Sequence, residues 1–202
     1  MPGTQSDLHG NVPDAADTCL LIIDMINAFG FDDADKFFPG VVQVAERIAW
    51  LKQRATAARV PTIYVNDNFG KWRNDFRKLV EYCLTNRCKG QTVAHMLRPG
   101  EEDYFVLKPK HSGFFATPLE LLLKFLGTRR VILTGVAGDT CVLYTAADAY
   151  MRDLTLCVPC DCTVSLDPQS NQSALDHMKT TLKADTSPSA AIQLAGSRDN
   201  KE

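Results

Sequence analysis

The chain has 202 residues, of which 45% are hydrophobic and 23% charged, and its formal net charge is −2. A domain of that length buries a sizeable core without disulfides or metals. The slightly acidic balance, with no basic stripe, argues against a role in binding nucleic acid or an anionic membrane surface.

Residues 1–17 are polar and acidic, with neither a basic nor an apolar leader region, so they read as an N-terminal arm and not as a signal peptide. The apolar runs are too short to span a bilayer, and the expected location is the cytoplasm. The first strong segment is TCLLIID, residues 18–24. It is continuously apolar, which suits a strand buried on both faces of a parallel sheet. Residues 40–58 carry Val41, Val44, Ala45, Ile48 and Leu51 on a helical stripe. VPTIYVN, 60–66, predicts a second strand, and a helix is expected over about 75–84. YFVLK, 104–108, predicts a third strand. In TPLE, 117–120, Thr117 is a helix cap, Pro118 suits the first helical position, Glu120 completes a capping box, and Gly127 ends the helix.

RVILTG, 130–135, predicts the fourth strand, and an alanine-rich helix follows over 139–151. LTLCVP, 154–159, predicts a fifth strand, and a last helix covers about 170–184. Strands and helices alternate throughout. The expected fold is α/β: a doubly wound, mostly parallel sheet with helices on both faces, a Rossmann-like three-layer sandwich. One domain is expected over 18–190, with a loose tail over 191–202.

Seven cysteines is an odd and high count. The single C-x-x-C, Cys157 to Cys160, has no histidine nearby and lies in or just after a strand. Structural zinc and thioredoxin-like redox chemistry are both disfavoured on those grounds. Most of the thiols read as small buried apolar groups.

In a doubly wound sheet, ligands bind beyond the carboxyl ends of the strands. Asp24 ends the first predicted strand, Lys108 ends the third, and Cys141 follows the fourth. One pocket could therefore hold all three. A cysteine in the first turn of a helix gains from the helix dipole, and a nearby lysine would favour its thiolate. Asp24 could take the thiol proton and pass it to a leaving amine. Each residue also has an ordinary reading: a turn aspartate, a carbonyl-capping lysine, a packed cysteine.

IIDMINAF (22–29), VLKPKHSGF (106–114) and LTGVAGDTCV (133–142) together resemble the signature blocks of isochorismatase-like cysteine hydrolases. The resemblance runs from about residue 18 to 190. It implies a catalytic triad of Asp24, Lys108 and Cys141. The lysine is the one four residues before the serine of Ser112–Phe114, and not Lys110. It also implies a cis peptide at Val136–Ala137, which would turn the Ala137 and Cys141 N–H groups towards one oxyanion site. Nicotinamidases in the family carry an Asp-x-His pair and a further His that bind metal. Here the region reads Asn66-Asp67-Asn68-Phe69, so no metal and no cofactor are expected. Isochorismatases proper usually lack the cysteine.

The expectation is therefore hydrolysis of a small amide or other C–N bond through a thioester. The alternatives are a nicotinamidase-like or vinyl-ether hydrolase, or a non-catalytic binding relative. The family usually forms homo-oligomers. Phe29, Asn68, Trp72 and Arg73 are candidate substrate contacts, with Arg73 suited to a carboxylate. His111 stands where the family often has tyrosine and reads as a local packing variation.

Overall fold

The computed structural model describes residues 15–70, 73 and 75–194. Six parallel strands form one sheet: β1 (Thr18–Ile23), β2 (Thr62–Asp67), β3 (Tyr104–Lys108), β4 (Arg130–Val136), β5 (Thr155–Cys157) and β6 (Thr163–Val164). Their order is β3-β2-β1-β4-β5, with β6 also on β4. The chain moves outward from β1 to β3, then returns to the other side of β1. That reversal lies between β1 and β4, where a doubly wound sheet opens its ligand crevice.

β1 has no exposed residue, as its unbroken apolar run requires. Its side chains alternate between two cores. Leu20 and Ile22 face one core; Cys19, Leu21 and Ile23 face the other. The first core is covered by α1 (Ala34–Ala57), α2 (Phe76–Thr85) and α3 (Gln91–Met96), and the second by α4 (Leu119–Phe125), α5 (Leu143–Tyr150) and α6 (Pro168–Thr180). This is the three-layer arrangement expected from the alternating elements.

Several boundaries differ from the sequence expectation. α1 starts at Ala34 and runs through Pro39; its buried Ala34 and Phe37 extend the apolar stripe upstream of the proline. α6 starts at Pro168, two residues before the expected start, because Asp167 accepts the Gln169 and Ser170 N–H groups. The α4 cap lacks the capping box. Thr117 Oγ1 accepts the Leu119 N–H, while Glu120 pairs with Lys124 and Arg152. Gly127 closes α4 at φ 69°.

The arm and tail expectations also need correction. Ala16 is buried and its N–H donates to Leu126 O, and Arg129 pairs with Asp17. At the other end, Ile192 is buried, and Arg54 donates to the Ser189 and Ile192 carbonyls. Residues 191–194 are therefore packed and not loose, and residues 1–14 and 195–202 lie outside the described residues.

Candidate active site

β1 ends in a turn made by Asp24, whose φ of 54° lies in the left-handed region that aspartate tolerates better than bulkier residues. The turn aims its carboxylate inward at Lys108, the last residue of β3. Lys108 has no exposed surface, and Asp24 is 6% exposed. A lysine buried that deeply needs partners. Its Nζ lies 2.8 Å from Asp24 Oδ2, 3.6 Å from Asp67 Oδ2, and donates to Cys141 Sγ at 3.5 Å. Asp24 Oδ1 accepts the Asp67 N–H at 2.6 Å. Lys108 thus bridges the Asp24 carboxylate and the Cys141 thiol.

Cys141 stands in a single π-helical turn, Gly138–Val142, that precedes α5. Wider turns of this kind recur at functional sites. The peptide between Val136 and Ala137 is cis. Two glycines make the turn possible. A Cβ on Gly135 would lie 2.0 Å from Ile23 O, and one on Gly138 would lie 2.0 Å from Asn171 Oδ1. Side chains then hold the turn in place. Ser165 Oγ accepts the Asp139 N–H and donates to Asp139 Oδ1. Thr145 Oγ1 donates to Cys141 O at 2.7 Å and accepts the Gly113 N–H. This links the turn to the segment that follows Lys108.

The expectation of a lowered thiol pKa is overturned. Burial first, then the Asp24 charge, pushes the Cys141 thiol up to about 12, with Lys108 opposing. The reason is burial of the thiol, reinforced by the aspartate beside it. Burial also raises the Asp24 carboxyl, against the pull of Lys108. Burial pulls Lys108 down, but the Asp24 carboxylate beside it leaves it raised. A thiol, a carboxylate and an ammonium carry no net charge among the three. Moving the thiol proton onto Asp24 keeps that sum at zero, whereas losing it to solvent leaves an extra negative charge in a buried place.

The expected substrate contacts are not gathered in the same way. Phe29 is fully buried and packs edge-on against Phe38 and near Phe31 and Phe37. It is a core residue and presents no surface to a ligand. Asn68 is also buried. Its side chain accepts the Gly70 N–H, and its own N–H donates to Lys108 O, so it shapes the turn after β2. Arg73 is exposed on that loop. Trp72 lies outside the described residues.

Asp67, Thr145 and Ser165 were missed by the sequence reading. The rule that picked out Asp24 would have found Asp67, had β2 been run one residue further. Thr145 lies four residues after Cys141, the spacing of one helical turn. His111, read as packing, lies with Nδ1 4.0 Å from Cys141 Sγ. Among the described residues, no three His, Cys, Asp or Glu side chains converge as a metal-ligand set. A cavity of about 860 Å³ between α2, α3 and β3 includes none of the three strand-end residues in its lining.

A family model for the isochorismatase domain matches residues 18–188. The chain belongs to the isochorismatase family. The uncharacterized isochorismatase family protein YaaI of Bacillus subtilis is 40% identical over 170 residues, covering 84% of this chain and 93% of that protein. The ureidoacrylate amidohydrolase RutB of Methylorubrum extorquens is 28% identical, covering 92% of this chain and 85% of its own. Among solved structures, N-carbamoylsarcosine amidase from Thermoplasma acidophilum superposes with a TM-score of 0.69 at 26% identity, over 87% of this chain and 98% of the other. This isochorismatase-family chain is a hydrolase. Among the described residues, no helix is long and apolar enough to cross a membrane.

Proposed function

We propose that this family member hydrolyses a small amide or ureido C–N bond, with Cys141 as nucleophile, Asp24 as proton carrier and Lys108 as the fixed cation. The observation that carries this reading is that Lys108 Nζ reaches both the Asp24 carboxylate and the Cys141 thiol at the carboxyl edge of the sheet. Asp24 takes the thiol proton as Sγ attacks the carbonyl carbon. The N–H groups of Ala137 and Cys141, beside the Val136 carbonyl, are assigned to the developing oxyanion. Asp24 then protonates the departing amine, the C–N bond breaks, and a thioester remains. Water gives a proton to Asp24 and its hydroxide adds to the thioester. The C–S bond breaks, and the proton returns to the sulfur. Lys108 keeps its proton throughout and steadies the carboxylate and thiolate in turn.

Arg73 is the candidate for a substrate carboxylate, being an exposed guanidinium on the loop that leaves β2 next to Asp67. The reading includes a cytoplasmic setting, supported by seven cysteines that are all free. It also includes a homo-oligomer, supported by exposed Leu121 and Phe125 one turn apart on α4. The domain proper is assigned to 18–190, with 191–194 packed against it.

The test is ammonia release from a panel of small amides and ureido acids, including ureidoacrylate and N-carbamoylsarcosine. Wild type is run beside Cys141→Ala and Asp24→Asn. Release that both variants abolish supports the reading. No release above the Cys141→Ala background across the panel sinks it.

A further inference from the structure

The Cys141 sulfur has two sides. The buried side faces Asp24 and Lys108. The other faces His111, which is exposed and whose Nδ1 lies 4.0 Å away. The imidazole is held flat against Tyr144, with ring centroids 5.6 Å apart and planes 23° apart. The next residue, Ser112, donates to Asp148 and so fixes the segment to α5, while Arg152 holds Asp148 from the other side. This placement is built into the fold and is not a chance rotamer of a loose side chain.

The two acceptors differ in what already occupies them. Both oxygens of Asp24 are taken: Oδ2 by Lys108 and Oδ1 by the Asp67 N–H. Among the described residues, the His111 ring has no hydrogen-bond partner other than the thiol. A proton handed to Asp24 stays in the pocket, whereas one handed to an exposed imidazole can pass on to water.

We infer that His111 is a second proton acceptor for Cys141, working from its open side and taking the thiol proton as the sulfur attacks. In the step, the S–H bond breaks and an Nδ1–H bond forms, with the ring starting as the tautomer that carries its hydrogen on Nε2. This rests on the nucleophile reading above and extends it. Two acceptors give the thiol two routes to ionisation, and the open route depends on pH. Among the described residues, the groups facing the imidazole are Cys141 on the π turn and Tyr144 on α5. Lys110 is its neighbour along the chain. Asp24, Lys108 and Asp67 stand behind the sulfur.

The experiment is alkylation of Cys141 by iodoacetamide in the full-length protein from pH 5 to 10, read by peptide mass spectrometry. Wild type is compared with His111→Phe, which keeps the stack on Tyr144, with His111→Gln, and with Asp24→Asn. The wild-type rate should show a step between about pH 5 and 8, where histidines change charge. Both His111 variants should lose that step and react about tenfold more slowly at pH 7, as for removal of a positioned base. Asp24→Asn should keep the step. Superimposable profiles for wild type and His111→Phe, with unchanged circular dichroism, overturn the inference. Loss of the step in Asp24→Asn with its retention in both His111 variants overturns it too. A step without amide hydrolysis sinks only the hydrolase reading, and hydrolysis without a step sinks only this one.

Discussion

Lys108 shows how one side chain sets the character of the site. It is a fully buried ammonium whose partners are two carboxylates and a thiol. Lys108→Met leaves Asp24 buried without its counter-charge. The expected cost is about 3–5 kcal/mol of stability, seen as a lower urea midpoint. Amide hydrolysis should fall at least about 100-fold. A variant with wild-type stability and turnover would remove Lys108 from the mechanism. That Asp24, Lys108 and Cys141 come together was legible in the sequence, because each lies at or beyond the end of an apolar run that reads as a strand. The substrate side was not. Phe29 follows Asp24 closely enough to suggest a lining residue, yet a turn at φ 49° sends its ring into the core. Nothing in the residue types distinguishes those two outcomes.

Among the elements, the π turn with the end of β4 is the most constrained. The close approach of β4 to β1 leaves no space for a side chain at position 135. Gly135→Ala should cost about 3 kcal/mol or more, or yield insoluble protein; an unchanged melting temperature would show that the strands can part. Ser165→Ala is a gentler probe. It leaves the Asp139 N–H without its acceptor, so about 1–2 kcal/mol should be lost. Turnover should fall roughly tenfold through displacement of the nucleophile, while KM stays near its wild-type value. A change confined to KM would argue that Ser165 acts on substrate binding instead. The first five strands were readable to within a residue or two, since burial writes an apolar run, but the two-residue β6 was missed. The π turn was not readable, because GDTCV carries no period that separates it from the first turn of an α-helix. The short helix α3 was missed for a similar reason: six residues show too little periodicity.

Across the molecule, the thiols act together. Cys19 is pushed up to about 11, and Cys83, Cys141 and Cys157 to about 12, in each case chiefly by burial. Burial raises Cys162 as well. A raised thiol binds its proton more tightly in the folded chain than in the unfolded one. Its contribution is therefore complete below the ordinary thiol value of 9.0 and lost as pH climbs towards 11 to 12. Urea midpoints measured from pH 7 to 11 should hold up to about pH 9 and then decline steadily. A Cys19→Ser/Cys83→Ala/Cys157→Ala variant should decline less steeply. Equal slopes would assign the alkaline loss to other groups.

The pairing of β1 with β4 joins segments more than a hundred residues apart along the chain. During synthesis, β1 and β2 leave the ribosome early and can pair, but the other edge of β1 stays open until β4 emerges. That edge belongs to an apolar strand, the kind that recruits stray chains. Closing it also brings the Cys141 turn to Asp24, so sheet completion and site assembly are one event. Recovery of Cys141 alkylation during refolding should therefore coincide with the final gain of tertiary signal, with no earlier species carrying a working site.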